Sequence, residues 1–125
     1  MKLLLDTHVI LWWLADDPAL KSDARSAISD TSNLVHVSAV SLWEIVIKRG
    51  LGKLRLPDDW ADVLMREPFR QLSINCRHAL MVGGLPAIHK DPFDRLLLAQ
   101  CLDEELTLVT HDATLQRYNV PVLLT

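Results

Sequence analysis

Met1-Lys2 leads straight into Leu3-Leu4-Leu5 and then Asp6, an uninterrupted apolar run closed by a carboxylate. A strand with one wet face alternates apolar and polar residues, whereas a strand covered on both faces is apolar throughout. The opening therefore predicts a strand inside a parallel sheet with Asp6 at its carboxyl end. The rest of the chain must supply helices for both faces of that sheet.

The pattern downstream does so. Thr7–Ala15 reads as a helix, Asp16-Asp17-Pro18 as a turn, and Ala19–Ser29 as a second helix with Leu20, Ala24, Ala27 and Ile28 at helical spacing. Leu34–Val37 is the next strand. Ser38 or Ser41 starts the helix after it and Gly50 is expected to cap its end. A connection over 51–57 leads to a helix over Asp58–Glu67, then a short strand over Gln71–Ile74 and a helix from Asn75 to Val82. Gly83-Gly84-Leu85-Pro86 is a break. Asp91 is the N-cap and Pro92 the first residue of a helix running to Glu105. Leu106–Thr110 is a strand, 111–116 a short helix, and Val120–Leu124 a final edge strand, where Pro121 is tolerated. Strands alternating with helices predict a three-layer α/β/α sandwich around a mainly parallel sheet, with right-handed crossovers.

With 125 residues, one hydrophobic core and a single domain over 1–125 are expected. No apolar stretch approaches the roughly 20 residues of a membrane span, and the first residues read as a strand instead of a signal peptide. Cys76 and Cys101 show no metal-binding or disulfide-rich spacing, so a reducing cytoplasm is the expected compartment. His8, His36, His78, His89 and His111 lack zinc-like spacing with them. His89 and His111 adjoin acids and read as surface or packing residues, with substrate contact as the alternative.

In a parallel sheet, ligands collect at the carboxyl ends of the strands. Asp6 follows the first strand and Asp112 the fourth, while Glu44 and Asp94 lie near the starts of helices entered from the same end. Each acid alone has an ordinary structural explanation. Asp6 and Asp112 can cap helices, Ser41-Leu42-Trp43-Glu44 matches a capping box, and Asp94 suits a helix dipole. As a set they repel one another and raise each other's pKa unless a cation sits among them. Oxygen donors suit Mg²⁺ or Mn²⁺, and such an ion activates water for phosphodiester hydrolysis without a covalent protein nucleophile. Asp91 lies three residues before Asp94, and Asp94 is favoured as ligand with Asp91 as cap.

The net charge of −3 means that a nucleic-acid partner requires a bound cation or a local basic patch. Lys48, Arg49, Lys53, Arg55 and Arg95 are the candidate phosphate contacts; for Lys48 and Arg49, complementing a helix C-terminus explains the charge equally well. Trp12, Trp13, Trp43 and Trp60 exceed what one small core absorbs, so some of this surface is expected at an interface.

Four segments, LLLDTHVILWWL, VSAVSLWEIVIKRGLGKL, HKDPFDRLLLAQCL and LVTHDATLQRY, resemble the PIN-domain nucleases in that order, and specifically the VapC-like toxins of type II toxin-antitoxin systems. The resemblance spans essentially the whole chain. It implies an α/β/α fold, an acidic site binding Mg²⁺ or Mn²⁺, cleavage of RNA and inhibition by a cognate antitoxin; a homodimer is expected from the surplus tryptophan surface. By the same resemblance Asp6, Glu44, Asp94 and Asp112 match the family's acids, and Thr7 and Thr110 occupy positions where small hydroxyl residues support them. A PIN-like nuclease acting in RNA processing or on structured DNA, or a metal- or phosphate-binding module without catalysis, would use the same acids. A receiver-type domain would need a supporting lysine late in the chain, and no lysine follows Lys90.

Overall fold

The computed structural model describes residues 1–125. Its strands are β1 (Lys2–Leu5), β2 (Leu34–Ser38), β3 (Arg70–Leu72), β4 (Thr107–Thr110) and β5 (Val122–Leu124). They form one sheet of order β3-β2-β1-β4-β5, and every neighbouring pair is parallel. β1 is therefore the central strand, as its unbroken leucine run requires. The helices are α1 (Thr7–Leu14), α2 (Ser22–Ser29), α3 (Ala39–Gly50), α4 (Trp60–Met65), α5 (Cys76–Met81) and α6 (Pro92–Glu104), with 3-10 turns at Val82–Gly84 and Ala113–Arg117. No helix is long and apolar enough to cross a membrane.

Successive residues of a strand point to opposite faces, and the core divides accordingly. Leu3 and Leu5 pack with Val9 and Ile10 of α1, Ala24 and Ile28 of α2, and Trp60 and Leu64 of α4. Leu4, between them, packs on the other face with Leu97, Leu98 and Cys101 of α6. Adjacent Leu108 and Val109 of β4 divide in the same way. The result is the expected α/β/α sandwich, and each fully buried leucine contributes on the order of 2 kcal/mol to it.

Several boundaries differ from the sequence expectation for local reasons. α2 starts at Ser22, not Ala19, because the Ala19 N–H donates to Asp17 Oδ1 at 2.9 Å and the Leu20 N–H to the Asp17 carbonyl at 3.0 Å. That turn holds the intervening residues out of the helix. Ser38, not Ser41, caps α3, its Oγ accepting the Val40 N–H at 3.0 Å. Gly50 is the last residue of α3 and does not end it; Gly52 does, with φ of 72°. The Lys53 N–H donates to the Lys48 carbonyl and the Gly52 N–H to the Arg49 carbonyl, the paired bonds of a Schellman motif, which places a glycine in the left-handed region. α4 is shorter than Asp58–Glu67, and β3 ends at Leu72, before Ile74. Asp91 caps α6 as expected, accepting the N–H groups of Phe93 and Asp94 at 2.8 and 3.1 Å, with Pro92 in the first turn.

Candidate active site

The parallel strands all deliver their carboxyl ends to one edge, where β1 runs into α1, β2 into α3 and β4 into the 3-10 turn. Asp6 closes β1 and is 4 % exposed. Its Oδ1 accepts the Val9 N–H at 3.0 Å, capping α1, and its Oδ2 accepts the Thr110 hydroxyl. Capping and site membership are thus the work of different oxygens on one carboxylate. Burial pushes the Asp6 carboxyl above the ordinary range, with the Thr110 and Val9 hydrogen bonds opposing.

Glu44 comes from the second turn of α3 and is also 4 % exposed. Thr7 donates its hydroxyl to Oε1 at 2.6 Å, and Lys48, one turn further along, meets Oε2 at 2.5 Å. The Lys48 ammonium is held above its usual pKa, first by that hydrogen bond; the charge of Glu44 and the more distant charges of Asp91 and Asp94 add to the effect. Lys48 is accordingly the internal counter-ion of the acids and not a freely projecting base.

Asp94, in the first turn of α6, is strongly perturbed. Burial, and then the charges of Asp91, Asp6 and Glu44, push it up to about 7. Those last three contributions are the electrostatic signature of convergence: acids from β1, α3 and α6 act on one another through a poorly solvated space. Asp112 joins them from the end of β4. Its N–H donates to Thr110 Oγ1 at 3.1 Å, so the one hydroxyl links Asp112 to Asp6. Asp112 Oδ1 accepts the Thr114 N–H at 2.9 Å and Oδ2 meets His89 Nε2 at 3.0 Å. Burial raises its carboxyl, but the Thr114 and His89 contacts together outweigh burial and leave it below the ordinary range.

The structure therefore gathers Asp6, Glu44, Asp94 and Asp112 at one end of the sheet with Thr7 and Thr110 as their hydroxyl partners. Asp91 sits beside them as the α6 cap. Oxygen donors dominate, and the positive charge provided by the chain is small, so the donor set suits a hard divalent cation. The ligand atoms of His89, Asp94 and Asp112 lie within 4.8 Å of one another.

The basic residues divide. Arg49 pairs with Asp58 at 2.6 Å. The Arg95 guanidinium is committed to the carbonyls of Pro86, Val82, His89 and Leu85 at 2.8 to 3.4 Å, so it anchors that loop and does not project toward a phosphate. Lys53 and Arg55 are exposed on the connection after α3. His8, Trp12 and His111 form an edge-to-face aromatic group, with His111 4.8 Å from His8 and 4.9 Å from Trp12 between ring centroids. Sequence reasoning favoured a surface or packing role for His89. Nothing local betrays its contact with an acid 23 positions away.

Trp60 is in the core and Trp13 packs on Phe69, while Trp43 is 55 % exposed beside Phe93. The two cysteines are free thiols, Cys101 buried and Cys76 exposed; burial pushes the Cys101 thiol up.

Comparison with known proteins agrees with this geometry. The PIN domain family matches residues 3–121. Ribonuclease VapC22 of Mycobacterium tuberculosis is 32 % identical over 122 residues, covering 94 % of this chain and 92 % of that protein. Among solved structures, VapBC2 from Rickettsia felis, bound to a DNA fragment from its promoter, superposes with a TM-score of 0.77 at 15 % identity, over 100 % of this chain and 99 % of the other. DNA-bound VapBC from Salmonella typhimurium gives 0.71 at 18 % identity, over 98 % and 97 %. At those identities the superpositions establish the fold. With the sequence match over nearly its full length, the chain belongs to the PIN domain family.

Proposed function

We propose that this protein is a metal-dependent endoribonuclease and the toxin of a toxin–antitoxin pair. The observation that carries the reading is the convergence of Asp6, Glu44, Asp94 and Asp112 at one end of the sheet, where burial and then the charges of Asp91, Asp6 and Glu44 push Asp94 up to about 7; a bound cation would relieve that repulsion. The 32 % identity to a protein named as a ribonuclease supports the choice of RNA as substrate.

On this reading Asp6, Glu44, Asp94 and Asp112 hold Mg²⁺ or Mn²⁺. When bound, the ion lowers the pKa of a water for in-line attack and offsets charge growing on the phosphate and the leaving oxygen. The chain's own residues prepare the site. Thr110 and Thr7 orient the Asp6 and Glu44 carboxylates, Lys48 compensates Glu44, and Asp91 fixes the start of α6, which aims Asp94. Lys53 and Arg55 contact the RNA backbone, whereas Lys48 and Arg49 are taken up by Glu44 and Asp58.

The partner is a cognate antitoxin, and the solved relatives named VapBC support this. The apolar groove lined by Leu14, Leu56, Pro57, Trp60 and Val63 offers an amphipathic segment a place to dock. Trp43, Val46 and Leu51 are exposed on and just after α3 and give a homodimer its apolar face. The protein acts in the cytoplasm, where its RNA substrate is.

Cleavage of a mixed RNA pool tests the reading, using purified protein with Mg²⁺ or Mn²⁺, with EDTA, and as folded Asp6→Asn and Asp94→Asn variants. Activity is expected only for the wild type with metal. Cleavage that survives EDTA or either substitution would sink the proposed centre.

A further inference from the structure

His89 lies between two of the acids. Its Nε2 is 3.0 Å from Asp112 Oδ2 and 3.3 Å from Asp94 Oδ2. Its other ring nitrogen is already occupied, because the Asp91 backbone N–H donates to Nδ1 at 3.1 Å. A neutral imidazole has one N–H; with Nδ1 accepting, the proton resides on Nε2. Nε2 therefore donates to Asp112 Oδ2, faces Asp94 Oδ2 with the same N–H edge, and has no lone pair to offer a metal.

The chain fixes this arrangement firmly. The His89 N–H donates to Tyr118 Oη at 2.7 Å, and the guanidinium of Arg95 grips the carbonyls of Val82, Pro86 and His89. The Asp91 amide that orients the ring belongs to the residue whose side chain caps α6, so ring and helix start are set together. On the far side, Asp112 Oδ1 is taken by Thr114, which leaves Oδ2 for His89. A single N–H placed between two like charges offsets their repulsion and sets their separation.

We propose that His89 is a positioning residue of the metal centre: its Nε2–H holds Asp94 and Asp112 together as oxygen donors while the ring itself stays outside the coordination sphere. This rests on the metal-nuclease reading above. Groups that orient metal ligands from outside the coordination sphere are worth about 10- to 100-fold in metal affinity or activity.

The experiment is calorimetric titration of Mn²⁺ into the purified full-length chain, for wild type, Asp94→Asn, His89→Ala, His89→Asn and His89→Gln, with RNA cleavage followed against Mn²⁺ concentration and melting temperature recorded for each. Glutamine places an amide N–H near the position of Nε2, whereas asparagine reaches only the position of Nδ1. His89→Ala and His89→Asn are expected to bind Mn²⁺ about 10- to 100-fold more weakly, and His89→Gln within about threefold of wild type. Wild-type Mn²⁺ affinity in His89→Ala, or His89→Gln no better than His89→Asn, would overturn the proposal; if His89→Ala does not fold, the glutamine–asparagine pair decides. Should wild type bind Mn²⁺ and Asp94→Asn not, with His89→Ala unchanged, only the role of His89 falls. Should wild type itself bind no Mn²⁺, the metal-nuclease reading falls with it.

Discussion

Replacing Asp94 by asparagine should make the metal-free protein more stable at pH 8 while abolishing its response to Mg²⁺. Asp94 ionises at about 7 in the folded chain against 3.8 for the ordinary side chain. At about 1.4 kcal/mol per tenfold change in proton affinity, keeping it charged costs the fold about 4 kcal/mol once pH is above both values. Proton counting sets the sign. Between about pH 4 and pH 7 the folded state holds a proton that the unfolded state has released, so stability falls as pH rises through that window. The side chain is 23 % exposed, and local relaxation trims the penalty, so a gain of about 2–4 kcal/mol is expected for Asp94→Asn at pH 8 in EDTA. At pH 4.5 that gain shrinks to about 1 kcal/mol, because wild-type Asp94 is then protonated when folded. Urea unfolding followed by circular dichroism at the two pH values measures both. A variant less stable than wild type at pH 8, or stabilised equally at both pH values, would refute the reasoning. With Mg²⁺ added at pH 8, the ranking should reverse, since only the wild type has a complete donor set to bind it.

Thr110→Val removes the hydroxyl that donates to Asp6 and accepts from the Asp112 amide; cleavage should drop about 10- to 100-fold with little change in RNA affinity, as kcat and KM will show. Lys48→Met leaves the buried Glu44 carboxylate with Thr7 as its remaining partner. Lys48 is itself partly exposed, so a loss of about 1–3 kcal/mol is expected in EDTA, read from urea midpoints. Reversing charge at Lys53 and Arg55 together should weaken RNA binding and flatten its salt dependence, whereas Arg95→Met should lower cleavage with the salt slope unchanged, because that guanidinium grips carbonyls. Gly52→Ala, forced into φ of 72°, should cost about 1–2 kcal/mol by thermal melt and leave the cleavage rate of the folded protein intact.

The parts legible in the sequence were those set by short-range rules. Three leucines in a row identified the doubly covered central strand, and Asp91-Pro92 announced the start of α6 through capping chemistry alone. The gathering of the acids was legible too, because in a parallel sheet topology sends every strand end to the same edge. What escaped depends on partners distant in the chain. Gly50 and Gly52 are equally plausible stops until the geometry of 48–53 is known, and Ser38 and Ser41 both offer a capping hydroxyl. Arg95 reads as a free cation beside an acid, yet its guanidinium reaches back to the carbonyls of Val82, Leu85, Pro86 and His89. His89 reads as an ordinary surface imidazole because the acid it meets at β4 lies beyond the whole of α6.

The strand order has a consequence for when the protein can first act. β1 and β4 are neighbours in the sheet, but they are separated in the chain by everything from α1 to α6. Asp6 and Glu44 are made first; Asp94 follows, and Thr110 and Asp112, which complete the hydroxyl bridge to Asp6, come after it. A nascent chain therefore carries half a centre while its central strand still lacks the neighbour that will flank it. The centre is therefore complete only once β4 pairs beside β1, since that pairing brings Thr110 and Asp112 to Asp6.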